Sequence, residues 1–570
     1  MIFIKIEHFS RKTLIFFGGY FLFLCFICFS FVHGDLILNC FVSNQVEWSH
    51  LNVYKWFSSN PTLNKIETPM APLYYLTNGA YIGFLKLLNI NPISKNDLTI
   101  YGLTQGFKYG IGGFLLKIPN IIALFVGAFY VYKIARKKGL NPQVVVTLWL
   151  TSPIILAGGF MQGQLDIIPA TLTMVALYYV VEERFYIVLV MLGLSAAFKN
   201  YALLLIPPFA IILGQRDYWK VVRLTIVGVG VYGLTLLPFW GDALVTRLFG
   251  WKDDNALFDR AFMQGLTPTY PYFLIYFFLV FYIFSLKIKR EEIFWYVSWV
   301  SAAIIADIFC TTWWLPQWCI WMVPFCIFIA IKTWMTFLCF ITVSCIIVIN
   351  NLIYFTRNLD SAMLEPWFGH GIKDMPFTYQ LQGHIPGLLY TILITLLVLF
   401  FVLVLKNKNE MDELSQNPTV KFLLTCSFPI VFYVAMIFVQ PFLYFEGSKI
   451  QNNLILPTET KNILSAIDQI KNKEDYIEMR GWAFIDGKNL DGKQKYIVLS
   501  SNKKTYILST KLEKRPDVTT HFKKANYDDS GYKAIIIKDQ INPGVYRIGF
   551  FISGKKENAF TLTDARVEIK

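Results

Sequence analysis

Apolar residues run through most of the chain in blocks about 20 residues long, the length of helix a bilayer core requires, with short polar or charged joints between them. About thirteen such spans are predicted on that criterion, near residues 13–33, 111–135, 143–160, 165–181, 185–199, 200–214, 221–239, 271–287, 292–310, 316–331, 333–354, 387–405 and 420–439. The joints carry the orientation. The basic N-terminus, Lys133 to Lys138, Gln215 to Lys220, Lys287 to Arg290 and Lys406 to Lys408 all favour the cytoplasm, and with this number of spans every one of them falls there. A further apolar stretch, Ala71–Leu88, breaks the agreement if it crosses. It is therefore assigned to a long first external loop, from Gly34 to about Gly110, as a helix lying on or dipping into the interface. The same parity puts Met161–Asp166, Phe198–Tyr201, Trp240–Tyr270, Thr311–Gln317 and Thr356–Pro386 outside, and the tail with them.

The texture changes after the last span. Short β-branched and aromatic runs appear (Tyr496 to Leu499, Tyr506 to Leu508, Lys533 to Ile537, Val545 to Phe551), with Asp-Gly, Asn-Pro-Gly and Ser-Gly turns between them. The fold class expected is a polytopic α-helical membrane domain, residues 1–445, followed by an extracytoplasmic all-β sandwich, residues 446–570.

Composition agrees. The 570 residues are 55% hydrophobic and only 16% charged, which leaves too little polar surface for a soluble chain of this size. The net charge of +14 sits in the short joints, with no basic stripe, so orientation in the bilayer explains it and nucleic acid is not an expected partner. Eight of the nine cysteines lie within apolar stretches, Cys40 being the exception, and the tail has none. That excludes a disulfide framework and fits a bacterial surface domain better than one in the ER lumen. The run Leu14–Val32 follows Lys5, Arg11 and Lys12 as a signal peptide would, yet it is about a full span long and lacks a small-residue cleavage site, so a retained helix is expected.

Several polar residues sit at the external ends of these spans. Asp35, directly after the first span, is placed where a carboxylate can take a proton from an acceptor hydroxyl; an ordinary solvated loop acid is the competing reading. Asp166, in Gln162-Gly163-Gln164-Leu165-Asp166, opens a hydrophobic helix, where it is either a helix-terminal acid or, beside Gln162 and Gln164, part of a polar site. Lys199 is either a snorkelling cation or one that neutralises a leaving phosphate. Arg247 and Arg260, in the loop after the seventh span, can bind phosphate oxygens bidentately or be plain solvated charges. Trp313, Trp314, Trp318 and Trp321 gather around Gln317 at one boundary, as an aromatic belt or as platforms for sugar faces. The histidines have no metal-ligand spacing, and no phosphate-binding glycine loop of the P-loop or dinucleotide type is present.

Taken together, these motifs resemble the GT-C superfamily of integral membrane glycosyltransferases, the bacterial polyprenyl-phosphate-sugar enzymes and the ER dolichol-linked glucosyl- and mannosyltransferases in particular. Gly34-Asp35 looks like the superfamily's acidic residue of the first external loop, and Thr68-Pro69-Met70-Ala71-Pro72-Leu73-Tyr74 resembles a later segment of that loop. Gly159 to Asp166, then Ala197 to Pro208 with Lys199, then Leu237-Pro238-Phe239-Trp240 follow the family's order, as do Arg247-Leu-Phe and Leu257 to Arg260. The resemblance covers about residues 13–330. It departs at Thr311–Gln317, where the ER enzymes have a His-rich motif and this chain has Trp and Gln; Pro316 to Pro324 is closer to bacterial and mannosyltransferase-like members. The tail, with Arg480 to Phe484 and Arg515 to Val518, is similar to accessory β modules of bacterial surface-polysaccharide proteins, for which glycan binding and structural support are the two roles.

The resemblance implies an inverting hexosyltransferase at the cell membrane. Its donor is a polyprenyl-phosphate sugar and its acceptor a cell-surface glycan or lipid-linked glycan. Asp35 is the base; Gln164, Asp166, Lys199, Arg247, Arg260, Trp314 and Gln317 contact substrate. No cofactor is expected, a divalent ion between Asp35 and Asp166, as in the oligosaccharyltransferase branch, being the alternative. A lipid-linked glycan flippase or exporter would need inverted repeats and broken midplane helices, which the sequence lacks. A polysaccharide polymerase or ligase would have its largest external loop late in the chain, and here that loop comes first. A structural scaffold for a cell-wall complex has only the β domain in its favour.

Overall fold

A computed structural model describes residues 11–30, 34–46, 51–59, 70–90, 111–249, 262–264, 267–311, 316–354, 385–406 and, with short gaps, 448–569. The chain forms two compact units, one holding the helices up to Lys406 and the other the strands from Ile463 onward.

Among the described residues, four helices of the first unit are long and apolar enough to cross a membrane: Ile118–Lys137, Pro142–Met161, Tyr218–Phe239 and Arg290–Thr311. Shorter apolar helices stand among them, including Ile167–Val181, Phe185–Phe198 and Pro271–Ser285. Their burial separates centre from rim. In its most apolar 18-residue window Pro142–Met161 has 94% of its residues buried, whereas Tyr218–Phe239 has only 22% and turns Ile226, Val229 and Leu234 outward. An apolar face of that extent is stable only against lipid, so the unit is a membrane bundle. Buried polar side chains inside it find partners in backbone carbonyls, without which the apolar surroundings would strand them. Tyr20 donates to the Leu150 carbonyl at 2.5 Å and Trp149 Nε1 to that of Leu124 at 2.9 Å.

Three of the charged joints meet at one end of the bundle. Lys137 pairs with Glu182, Arg290 with Glu183, and Arg216 donates to the Ser285 carbonyl at 2.7 Å. Glu182 follows the C-terminal end of Ile167–Val181, and Asp166 stands at its N-terminal end, so the basic joints and Asp166 lie about 22 Å apart at 1.5 Å per residue.

The chain after the first span is more helical than a loop. Helices Gly34–Asn44, Val53–Ser59 and Pro72–Leu87 occupy the stretch expected to be the first external loop, the last of them at the expected interfacial helix. The span expected over 111–135 is interrupted: Ile111–Leu116 stops at Lys117, and Ile118–Lys137 starts with Pro119 in its first turn, a residue whose missing N–H suits it to a helix start. The span expected at 420–439 lies outside the described residues.

A small hairpin, β1 (Phe262–Gln264) and β2 (Thr267–Thr269), is the only pairing described before the second unit. That unit pairs β3 (Ile463–Asn472), β4 (Tyr476–Ile485), β5 (Gln494–Ser500), β6 (Thr505–Ser509), β7 (Lys511–Glu513), β8 (Gly531–Ile537), β9 (Gly544–Ser553) and β10 (Asn558–Ile569) into two antiparallel four-stranded sheets. Their orders are β10-β9-β5-β6 and β3-β4-β8-β7. Alternate residues of both sheets, such as Ile477, Met479, Ala534 and Ile536 from one and Ile497, Leu499, Ile548 and Phe550 from the other, share one core, as the period of two along each strand requires. The charged motifs of the tail are structural ties. Glu478 accepts from Arg480 at 2.8 Å and pairs with Lys533 at 3.0 Å, and Arg515 bridges Asp468 and Asp517.

Candidate active site

The site is assembled from four segments far apart in sequence. The first is a break in a membrane helix. From Leu156 to Met161 the backbone widens into a π-helix, a geometry that costs hydrogen-bond quality and is most often kept at functional positions. The turn after it is held by Gln162 N donating to Ala157 O at 2.8 Å and Gln164 N to Gly158 O at 3.0 Å. Asn120 Nδ2 clamps it from the side, donating to the carbonyls of Gly159 at 2.7 Å and Gln164 at 3.0 Å. Gly163 has φ +72, where L side chains are strained, and a Cβ there would lie 2.8 Å from Leu36 Cδ2 and 2.9 Å from Lys117 Cε. Gly158 lets the segment Pro316–Met322 come close: a Cβ on it would be 2.7 Å from Ile320 Cδ1.

This turn delivers Asp166, 1% exposed, to the start of Ile167–Val181. Its side chain does not cap that helix. Instead Oδ1 accepts a hydrogen bond from Trp321 Nε1 at 2.7 Å and faces Lys199 Nζ at 3.6 Å. The first is a strong, charge-assisted bond; the second is an ion pair beyond hydrogen-bonding length. Lys199 ends helix Phe185–Phe198 in an extended conformation that turns its side chain inward. Its ammonium also lies 3.3 Å from Met70 Sδ and 5.9 Å from the Trp321 ring centroid. Asp166 is its one oxygen partner among the described residues, so the three-donor ammonium has hydrogen-bonding capacity to spare.

Met70 is positioned by two tyrosines. Tyr54 Oη donates to its carbonyl at 2.6 Å, and its own N–H donates to Tyr75 Oη at 3.3 Å. Trp321 is stacked between Tyr201, at 4.2 Å and 4° between planes, and Trp318, at 5.2 Å and 15°. Tyr232 Oη completes the surround by donating to Asn200 Oδ1 at 3.1 Å.

Of the residues singled out in the sequence, the structure brings Asp166 and Lys199 into direct contact. Gln164, 2% exposed, shares the same turn, and Gln317, 4% exposed, packs where that turn meets Pro316–Met322. Asp35 is in the first turn of Gly34–Asn44 and Arg247 in the π-helix Val245–Phe249; their side chains, and Arg260 and Trp314 altogether, lie outside the described residues. The snorkelling reading of Lys199 is corrected, since its side chain is 14% exposed and turned to a buried acid. So is the aromatic-belt reading for Trp321, which is 4% exposed and donates inside the bundle.

Three contributors were not singled out by the sequence reading. Met70 and Tyr201 are ordinary apolar positions until the chain folds. Lys117 had a usable signal, a lone cation within a long apolar run. It is fully buried, donates from Nζ to the Cys28 carbonyl at 3.3 Å, and thereby ties the end of the first helix to the Gly163 turn.

Trp321→Phe isolates one of these contacts. It keeps a ring for Tyr201 to stack on and removes only the N–H that Asp166 accepts, at an expected cost of about 1.5–3 kcal/mol for a hydrogen bond to a charged group. Thermal unfolding of the purified protein in detergent should show a lowered midpoint; an unchanged one would mean that the bond contributes nothing to holding Asp166.

Residues 98–215, which contain the π-helical turn, Asp166 and Lys199, match the family model described as Alpha-(1->6)-mannopyranosyltransferase, N-terminal domain. The match supports an enzyme that transfers sugar. Among solved structures, the crystal structure of ArnT from Cupriavidus metallidurans in the apo state is similar at a TM-score of 0.36 with 10% identity, over 70% of this chain and 78% of that one. A search of curated protein sequences finds no match.

Proposed function

We propose that the protein is an inverting glycosyltransferase that moves a hexose from a polyprenyl-phosphate donor to a cell-surface glycan or lipid-linked acceptor on the extracytoplasmic face of the membrane. The observation that carries this reading is Lys199: a cation held by Asp166 at the end of the bundle away from the basic joints, beside the stacked rings of Trp321 and Tyr201. A phosphate at the end of a lipid chain is brought to that depth by its own tail, and an ammonium in such surroundings binds it far more strongly than in water.

In the reaction, Asp35 takes the proton of the acceptor hydroxyl. The oxygen attacks the anomeric carbon from the face opposite the phosphate, and the bond from that carbon to the phosphate oxygen breaks with its electron pair leaving on the phosphate. Lys199, with Arg247 and Arg260 from the following loop, neutralises the added charge. A phosphate monoester anion is a good leaving group, so this scheme needs one base, no second acid and no metal. Asp166 and Trp321 keep Lys199 in place, Gln164 and Gln317 border the sugar, and Trp314 belongs to the same boundary segment as Trp318. The β unit, exported with the tail, serves as an accessory module for glycan binding or support.

Incubating the purified protein with a panel of polyprenyl-phosphate sugars and an acceptor glycan fraction tests the reading. Consumption of one donor with release of polyprenyl phosphate is expected; no consumption of any would overturn it.

A further inference from the structure

Among the buried polar side chains of the bundle that the scheme above leaves without work are an acid and a phenol on neighbouring helices, Asp307 and Tyr272. Asp307 sits in the last turns of Ile293–Thr311 and is 5% exposed; Tyr272 is in the first turn of Pro271–Ser285 and is fully buried. The two helices pack together in antiparallel fashion, and their other ends are at the charged joints, where Arg290 pairs with Glu183 and Ser285 accepts from Arg216. Asp307 and Tyr272 are therefore at the same end of the bundle as Asp166 and Lys199. Ile293–Thr311 also packs against Pro316–Met322, which carries Trp321, and against Asn200–Leu205, which carries Tyr201. Tyr276, one turn after Tyr272, donates to the Leu204 carbonyl at 3.0 Å and fixes that contact.

Neither group is satisfied. Asp307 Oδ1 receives Thr311 Oγ1 at 3.3 Å, but its Oδ2 and the Tyr272 hydroxyl have no hydrogen-bond partner among the described residues. An acid inside a membrane helix and a phenol with an open donor and acceptor are costly unless something fills them, and such residues in membrane helices are by default functional. The chemistry they offer is specific. A carboxylate oxygen accepts from a hydroxyl, and a phenol both gives and accepts, which together complement sugar hydroxyls, whereas a carboxylate repels a phosphate.

We propose that Asp307 and Tyr272 form the subsite that hydrogen-bonds ring hydroxyls of the transferred sugar and so selects its configuration. The inference rests on the sugar-transfer reading and adds to it the residues that choose the sugar. Lys199 holds the phosphate and this pair reads the ring beside it. A buried polar pair built to engage a hydroxyl rejects a sugar that lacks or misplaces it, because the pair is then left unpaired again.

The test uses full-length protein in lipid nanodiscs. Wild type, Asp307→Asn and Tyr272→Phe are compared for kcat/KM on polyprenyl-phosphate mannose, glucose and galactose, and for inhibition by sugar-free polyprenyl phosphate. Both substitutions are near-isosteric, and unchanged inhibition by the sugar-free lipid reports an intact fold and phosphate site. The expected result is a loss of about 10- to 100-fold on the preferred sugar, with its preference over the epimers narrowed and the inhibition constant unmoved. Wild-type preference in both variants would overturn the subsite while leaving sugar transfer standing. Equal loss of inhibition and turnover would assign the pair to the phosphate site or to folding, and so overturn it as well. A wild type that consumes none of a wider donor panel would remove the sugar-transfer reading and this inference with it.

Discussion

Lys199→Met is expected to reduce sugar transfer by about 10²–10³-fold, the usual effect of removing one group that stabilises developing negative charge in a water-poor site. The methionine fills much of the same volume beside Met70, so packing changes little, and the lost quantity is the cation. The substitution also takes the Lys199 ammonium away from the Asp166 carboxylate, and a buried acid that loses a cationic neighbour is destabilised in its own right. The double variant Asp166→Asn with Lys199→Met separates the two effects. It should recover the thermal midpoint lost in Lys199→Met, because no uncompensated charge remains, and it should not recover turnover. Recovery of turnover in the double variant would show that the cation serves only to neutralise Asp166. Steady-state release of polyprenyl phosphate and a melting curve on the same three proteins decide between these outcomes.

Asp35→Asn carries the second large effect. With Asp35 of Gly34–Asn44 as the proposed base, the amide cannot accept the acceptor's proton, and the rate should fall by about 10²–10⁴-fold. Donor binding should persist, since the phosphate is held by other residues. The pairing of these results matters more than either alone: Lys199→Met should weaken inhibition by sugar-free polyprenyl phosphate, and Asp35→Asn should leave it. An Asp35→Asn enzyme that turns over at the wild-type rate would move the base elsewhere in the site.

Trp321 shows why the site could be read only in part from the sequence. Four tryptophans at a helix boundary are what lipid headgroups attract, and nothing in Trp313 to Trp321 says which of them turns inward. The answer depends on Gly158, whose missing side chain lets Ile320 approach and so places Trp321 within 2.7 Å of an acid 155 residues earlier. Lys199 is a similar case. Its position between apolar helices fits a snorkelling cation as well as a bound one, and the choice falls to Asp166 and Met70, two segments that sequence distance does not connect.

Asp307 is different, because its signal was present. One acid in Ile304-Ile305-Ala306-Asp307-Ile308-Phe309 is a cost no span carries without return, yet it sits within a run whose average hydropathy still reads as a plain helix. Lys117 was hidden in the same way, within Ile111 to Ala135, until the structure broke that run at the lysine itself.

The sequence by itself determined the class of environment and the kinds of element: blocks of apolar residues can only be helices in lipid, basic joints sort to one face, and period-two runs with turn residues can only be strands. Those outcomes follow from the solvation of each residue and its near neighbours, which are local properties. Which acid meets which cation, which tryptophan leaves the boundary and which buried groups stay unpaired were decided by tertiary structure alone. Such contacts depend on where distant helices cross and how closely a glycine lets them approach, and no local pattern encodes that distance.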